Sequence, residues 1–600
     1  MDRRTMMIRT AVAAAAASAS IPILADTPQP AAGGSLNALF DQFMKENLDL
    51  SPLTVTSMGL DTGARAHQKF ELDDFSLRGI ERGRQLVSSQ RKRLEAVNRA
   101  ALSPADQVGY GVVDFNLRTT DEADKAFRFG GGTGAGNPYV LSQLNGSYQS
   151  LPSTLDTEHT IERKSDAEAY LSRLSAFGHA LDQEIEVAHH DVGLGVTPPD
   201  FVLDRALEQM RALRALAPAE SSMVGSLARR TREKNIPGDW AGQAAAIVRD
   251  KVYPALDRQI ALLEGLRKTA VHDAGVWRLP QGHDYYAASL VGWTTSSMKP
   301  EDIHKLGLQV VQEHTALIDA LMRKQGLTQG SVAERFAAMY KDPRYLYANT
   351  DAAKEELIAD LNRRVQRIRA KLPQYFGALP RANVEIRRVP KAIEAGAPGG
   401  YYNSASLDGK RPGIYWINLR DTSEVPRWAL PTLTYHESIP GHHLQISIQQ
   451  EANLPLIRKT LGFSAYVEGW ALYAEQLAVE MGEYEDDPLG HIGQLHDSMF
   501  RGVRLVVDSG MHALKWSREK AIRYYTETLG NPATEATTEV ERYCVWPGQA
   551  CSYMLGKLKI LAIRDQARKS LGTRFDIHSF HDAVLLPGAL PLDMMDHLYG

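Results

Sequence analysis

Helical periodicity constrains this chain more than any other feature. From Ser35 onward, apolar residues recur at three- and four-residue spacing through nearly every stretch. The pattern covers Ser35–Met44, 74–102, 105–125, 154–190, 199–217, 218–233, 238–268, 300–325, 330–341 and 351–372, and it resumes from Pro426 almost to the end. Lys299-Pro300-Glu301-Asp302 reads as a helix start, because proline sits well in a first turn and acids suit its positive end. Residues 277–297, rich in Gly, Tyr and Trp, read as irregular. Residues 384–419 read as β: Val384–Val389 alternates, and 399–405 leads through a turn at Leu407–Lys410 to a return strand over 413–419. The expectation is a mainly α protein, with a small antiparallel sheet just ahead of a candidate metal-site helix. The glycines of 128–138 form a loop rather than a phosphate cradle, since no strand leads in and Asn137-Pro138 follows.

Function classes narrow next. A net charge of −4 over 600 residues gives no reason to expect nucleic-acid binding. After the N-terminus no apolar run is long enough to span a bilayer, so no stable membrane insertion is expected. The first 25 residues read as an export signal: a basic start with Arg3-Arg4, then an Ala-rich run over Thr10–Leu24. The signal is of the twin-arginine or the general secretory type, and the protein is periplasmic or secreted. The two cysteines, Cys544 and Cys551, are read as free buried thiols rather than a disulfide.

Chemistry concentrates in three segments after the sheet. The first, Tyr435-His436-Glu437-Ser438-Ile439-Pro440-Gly441-His442-His443, starts like the zinc-hydrolase pattern H-E-x-x-H, but its next histidines come late. On a regular helix, i+6 lies ~240° round the axis and i+7 lies ~10 Å along it, so neither position shares an ion with His436. Pro440 cannot donate to the carbonyl of His436 and its ring clashes there, while Gly441 tolerates an unusual turn. A Pro-Gly bulge would return His442 to the second-ligand position, with His443 as the alternative. The second segment, 463–475, carries Glu468, which follows His442 by 26 positions, and Glu475 two turns later. That interval suits a second helix bringing a third ligand to a catalytic Zn²⁺. Glu437 would be the general base, and a tyrosine of the third segment, Glu541–Tyr553, would donate to the oxyanion.

Together the three motifs resemble the bacterial family catalogued as domain of unknown function 885, from about Leu36 to the C-terminus, including Arg504–His512. They are also similar to the helical gluzincin metallopeptidases of the thimet oligopeptidase and angiotensin-converting enzyme type. Gly441-His442 fits the Gly-His of their His-Glu-x-Gly-His, with two residues inserted. Val467-Glu468 fits their third-ligand segment, and the Tyr553 segment fits their late tyrosine-bearing loop. The resemblance implies a two-lobed helical body with a deep central cleft, divided at about 298/299 within one domain over 35–600, and zinc on the cleft floor. It implies Tyr553 as oxyanion donor, with Tyr543 or Arg542 in support, and short peptides as substrates. A zinc amidohydrolase for a non-peptide amide or ester, and a non-catalytic cleft-binding protein, stand as the alternatives.

Other candidates are single residues. Arg501 or Arg504 would bind a substrate carboxylate or form a structural ion pair. Asp508 and His512, at i and i+4, would contact substrate, back the metal site or bond within the helix. Tyr401 and Asn403 would lie on a sheet edge able to pair with a peptide backbone.

Overall fold

The computed structural model describes residues 31–389, 391, 394, 399–407 and 411–598. The export signal read over 1–25 lies outside these residues, as do Asp408–Lys410 of the turn between the strands. Among the described residues, α-helices dominate from Ala31 to Leu585. Seven of them build the candidate site: α1 (Pro300–Lys324), α2 (Leu430–Glu437), α3 (His442–Glu451), α4 (Ser464–Glu480), α5 (Pro488–His512), α6 (Ala533–Val545) and α7 (Ser552–Leu571). No helix among the described residues is long and apolar enough to cross a membrane.

The stretch 277–297, read as irregular, holds a helix over Gly282–Thr294. Its glycine and aromatic content disfavours a helix locally. The burial of Tyr285, Tyr286, Ser289 and Leu290 on one side overrides that preference. The glycine loop 128–138 is a loop whose amides are taken by the protein itself. Gly130 donates to Asp191 (2.9 Å), Gly134 to Asp124 (2.7 Å) and Gly136 to the Tyr285 hydroxyl (3.1 Å).

The sheet is mixed, which corrects the antiparallel reading. Strands β1 (Val384–Arg388), β2 (Gly400–Asn403) and β3 (Gly413–Ile417) lie in the order β1-β3-β2. β2 and β3 pair antiparallel, Tyr402 opposite Tyr415. β1 pairs parallel with β3, Ile386 opposite Tyr415. Three successive strands that alternate in direction give this result whenever the third inserts between the first two. β3 takes the centre because Ile414, Tyr415 and Ile417 are buried, while β1 and β2 keep mixed faces suited to an edge. β2 lies beside α2, its Gly400 facing Leu433.

Among the described residues the apolar core has three clusters. The main one draws on all seven site helices, the sheet and the helix at 282–294. A second is formed by helices between Leu141 and Leu263, and a third by Leu36–Leu117 with Ile457. Two pairs of helices inside the main core approach unusually closely. In α1 and α5, Gly307 faces Leu505 and Gly502 faces Val310. In α4 and α7, Gly469 faces Gly556 so directly that a Cβ on Gly469 would lie 2.4 Å from the Gly556 Cα. A Cβ on Gly556 would lie 1.8 Å from the carbonyl oxygen of Ala465. This backbone contact sets the separation of the helix carrying Glu468 from the helix carrying Tyr553.

Cys544 and Cys551 are buried free thiols, in agreement with the sequence reading. Burial pushes both thiols up from their ordinary value, so few thiolates form at neutral pH. Neither should react with a thiol reagent on the native protein, and both should react on unfolding. Gly556→Ala should cost on the order of 3 kcal/mol in urea unfolding, because the opposing atom is backbone and cannot rotate away.

Candidate metal centre

The site begins where α2 ends. The last helical bond runs from Ser438 N–H to Thr434 (2.9 Å), and Pro440 has no N–H to continue the ladder. Gly441 packs back over the helix end, where a Cβ would lie 1.9 Å from the carbonyl oxygen of His436. Helix α3 then starts at His442. The chain thus forms two helices with a complete break, where the sequence suggested a bulge in one. The break is held from outside: Trp470 of α4 donates its indole N–H to the carbonyl of Pro440 (2.9 Å).

The break brings His436 and His442 together, ring centroids 4.7 Å apart and nearly perpendicular. Both Nε2 atoms face Glu468 of α4: Oε2 lies 3.5 Å from His436 and 3.3 Å from His442. Glu437 is also close, since His436, Glu437 and His442 offer donor atoms within 4.8 Å of one another. His443, the alternative ligand, is directed elsewhere. Its Nδ1 bonds the Tyr402 hydroxyl (2.9 Å) and its Nε2 the carbonyl of Ala382 (3.0 Å), which ties α3 to the sheet. A successor in the chain points about 100° away on a helix, so one histidine faces Glu468 and the other the strands.

Behind His436, Glu475 accepts from Nδ1 at 2.8 Å. Nε2, on the other side of the ring, faces the Glu468 carboxylate. Burial alone would lower the basicity of His436, but hydrogen bonds to Glu468 and Glu475 reverse this and hold its pKa up to about 10. Positive charge is therefore favoured between the two Nε2 atoms and Glu468. Two imidazole nitrogens, one carboxylate and a carboxylate behind one ring form a donor set of the kind that holds zinc. Glu437, 7 % exposed, is raised by burial, an effect that His442 and His436 oppose.

A chain of charges continues behind Glu475. Asp497 of α5 lies beside it and pairs with Arg501. Burial and Asp497 raise Glu475, while Arg501 lowers Asp497. Lys557 of α7 donates to Ser498 (3.0 Å), and burial pulls its amine down to about 8 despite these carboxylates. Neither Asp497 nor Lys557 was singled out from sequence. Asp497 had a signal, its i, i+4 spacing to Arg501; Lys557 had none.

The third segment reaches the site through Tyr553, whose ring lies 6.5 Å from that of His436 and stacked at 20°. Burial and Glu468 raise its phenol, so it is a neutral donor. Tyr543 does not reach the site. It is fully buried, donates to Glu539 (2.7 Å) and accepts from Arg504 (3.2 Å). Arg542 donates to Gln549 (2.7 Å) and Glu539 (3.1 Å), and Gln549 donates to the Tyr553 hydroxyl at 3.4 Å. Glu539, the shared acceptor, was missed in sequence, although it stands i+3 and i+4 from Arg542 and Tyr543. Glu541, quoted in the motif, faces away and pairs with Arg205 and Arg518.

Two further candidates are structural. His512 is fully buried with both nitrogens in use: Nδ1 accepts from Val276 N–H (3.1 Å) and Nε2 donates to the Tyr543 carbonyl (3.0 Å). It cannot bind substrate. Asp508 accepts from the Tyr286 hydroxyl (2.6 Å) and from Gly548 N–H (3.1 Å). The pair therefore pins α6 and the loop before Tyr553 onto α5. Tyr401 and Asn403 lie on β2, an edge strand, partly exposed; Tyr401 stacks on Trp416 at 6.4 Å.

Residues 52–598 match the family described as "Bacterial protein of unknown function (DUF885)". The chain belongs to that family. A search of curated proteins finds no match. Among solved structures, the DUF885 chain is similar to one from Colwellia psychrerythraea described as a "putative lipoprotein". Identity is 33%, 95% of this chain and 98% of that one are covered, and the TM-score is 0.91. A second, from Shewanella oneidensis, is described as a "putative lipoprotein of unknown function". It is 16% identical over 94% of this chain and 99% of that one, with a TM-score of 0.69, and shares the fold.

Asp508→Asn should cost about 1–3 kcal/mol in urea unfolding, because an amide cannot accept from both Tyr286 and Gly548 without presenting N–H to N–H. Tyr286→Phe, which removes one donor and leaves the carboxylate bonded to Gly548, should cost less.

Proposed function

We propose that this DUF885 protein is a zinc-dependent metallopeptidase that hydrolyses short peptides, of the gluzincin kind that its three motifs resemble. The observation that carries the reading is the convergence of His436 and His442 Nε2 on Glu468, with Glu437 beside them and Glu475 behind. His436, His442 and Glu468 would hold the metal. When bound, zinc supplies Lewis acidity toward a carbonyl and makes water a nucleophile at neutral pH.

The chain's own residues do the rest. Glu437, in a site where burial raises its proton affinity, takes the proton from the attacking water and delivers it to the leaving amine. Tyr553 donates its phenolic proton in a hydrogen bond to the developing oxyanion. Glu475 fixes the His436 ring and raises its basicity as a ligand. The outer edge of β2, with Tyr401 and Asn403, pairs with an extended substrate backbone. The placement outside the cytoplasm rests on the export-type N-terminus and on the description of the Colwellia protein.

A retained base favours catalysis over mere binding, since a structural metal site needs no carboxylate beside its ligands. Glu437→Gln should keep its zinc and lose at least about 100-fold in turnover on a mixed peptide library read by mass spectrometry. Full turnover in that variant would remove Glu437 from the mechanism. Glu475→Gln should weaken zinc binding by roughly 10–100-fold in competition with a chelator.

A further inference from the structure

A cavity of about 290 Å³ opens in the third apolar cluster, among the helices Ala31–Leu50, Leu77–Glu95, Pro104–Ala126 and Leu456–Thr460. Apart from Gln90 its buried wall is apolar, made by Met44, Leu48, Val113, Leu117 and Ile457. Its mouth is made by partly or fully exposed residues, Asn47 and Val87 among them. None of the residues that line it is ionisable. Protein interiors close up to the density of organic crystals, so an opening of this size forfeits contacts that an occupant would restore. At roughly 30 Å³ for each water, it has room for about ten non-hydrogen atoms.

Gln90, 1 % exposed, carries the polar signal. Its Nε2 is spent on the helix Ala31–Leu50, donating to the carbonyl of Phe43 (3.3 Å), to Glu46 (3.2 Å) and to Asn47 Oδ1 (2.9 Å). A carbonyl and a carboxylate only accept, so this amide cannot be turned round. Oε1 is the end left without a hydrogen-bond partner among the described residues. Asn47 Nδ2 has no partner among them either. The two amides are bonded to each other, so an unspent acceptor and an unspent donor lie in neighbouring side chains of the cavity wall. Water would satisfy both but would gain nothing from the apolar part of the wall. An ion would lose hydration there and meet no opposite charge in the lining.

We propose that this cavity binds an uncharged aliphatic amide, its chain against the apolar wall and its head group between Gln90 and Asn47. The amide N–H donates to Gln90 Oε1, and the amide carbonyl accepts from Asn47 Nδ2. A carboxamide carries on one small group both the donor and the acceptor that the wall lacks. An ester of the same length supplies no donor, and a carboxylate or an ammonium brings a charge that nothing in the lining offsets. The site is separate from the metal centre, and its occupant is chosen without reference to the peptidase reading.

The test is calorimetric and ligand-observed NMR titration of the full-length protein with four probes that share one chain: octanamide, methyl octanoate, octanoate and octylammonium. Octanamide should bind saturably, about tenfold more tightly than the ester and at least about tenfold more tightly than either ion. Val87→Trp, at the partly exposed mouth where a larger side chain leaves the core undisturbed, should abolish binding by filling the opening. Gln90→Met, close to glutamine in size, should bring the amide and the ester to within about threefold of each other. Absence of saturable octanamide binding, or equal binding of all four probes, overturns the site and leaves the cavity to water or to unselective uptake of apolar chains. Binding that persists unchanged in Val87→Trp places octanamide elsewhere and overturns it as well. An amide preference that survives Gln90→Met overturns the role of Gln90 as acceptor.

Discussion

A proline cannot donate a hydrogen bond, and within a helix it kinks or breaks the ladder. That constraint at Pro440 organises the centre of this protein. In an unbroken helix, His436 and His442 would point to different sides. With the helix ended at Glu437 and restarted at His442, their rings come within 4.7 Å. The break would be a weak point if nothing gripped it. Trp470 does so from α4, two residues beyond Glu468, so the bond that fixes the break also fixes the helix that brings the third side chain. Gly469, between them, lets α7 press against α4 and carry Tyr553 toward the same point.

The cost of the arrangement is electrostatic. Burying this many ionised groups is unfavourable unless each finds a partner. The protein meets the cost by stringing charges together: His436 to Glu475, Glu475 beside Asp497, Asp497 to Arg501. Each link orients the one before it, so a ring orientation at the centre depends on an ion pair in α5. The Arg504–Arg542–Glu539 group follows the same logic, two guanidiniums sharing one carboxylate.

What was legible in the sequence follows from the range of the forces. Amphipathic helices announce themselves by period, and the break by the proline and glycine that cause it. The choice of His442 over His443 rested on its place after Gly441, and the structure directs His443 to Tyr402 and Ala382. Strand order was not legible: alternation marks a strand but says nothing about which neighbour it takes, so the parallel β1–β3 pair was missed. The helix at 282–294 was missed because its stability comes from contacts far along the chain rather than from propensity. Glu539 and Asp497 were visible only as common i, i+4 pairs, which by themselves denote a solvated surface. His512 illustrates the opposite error, since a histidine near a motif looks chemical until both its nitrogens are found on backbone.

These misses share a cause that bears on the chemistry. The residues that sequence patterns identify best are those touching the metal-type centre, whose spacing is fixed by one ion-sized point. Those that set its electrostatics are dispersed over α5, α6 and α7 and have no fixed spacing to the motif. Two proteins with the same three motifs can therefore differ in how much charge lies beside Tyr553. Glu539 is the position where such a difference would be felt most. Replacing it by a neutral residue would take from two neighbouring guanidiniums the carboxylate they share. The charge beside Tyr553 is then a property of the α5–α6 contact, set apart from the centre by the width of one tyrosine ring.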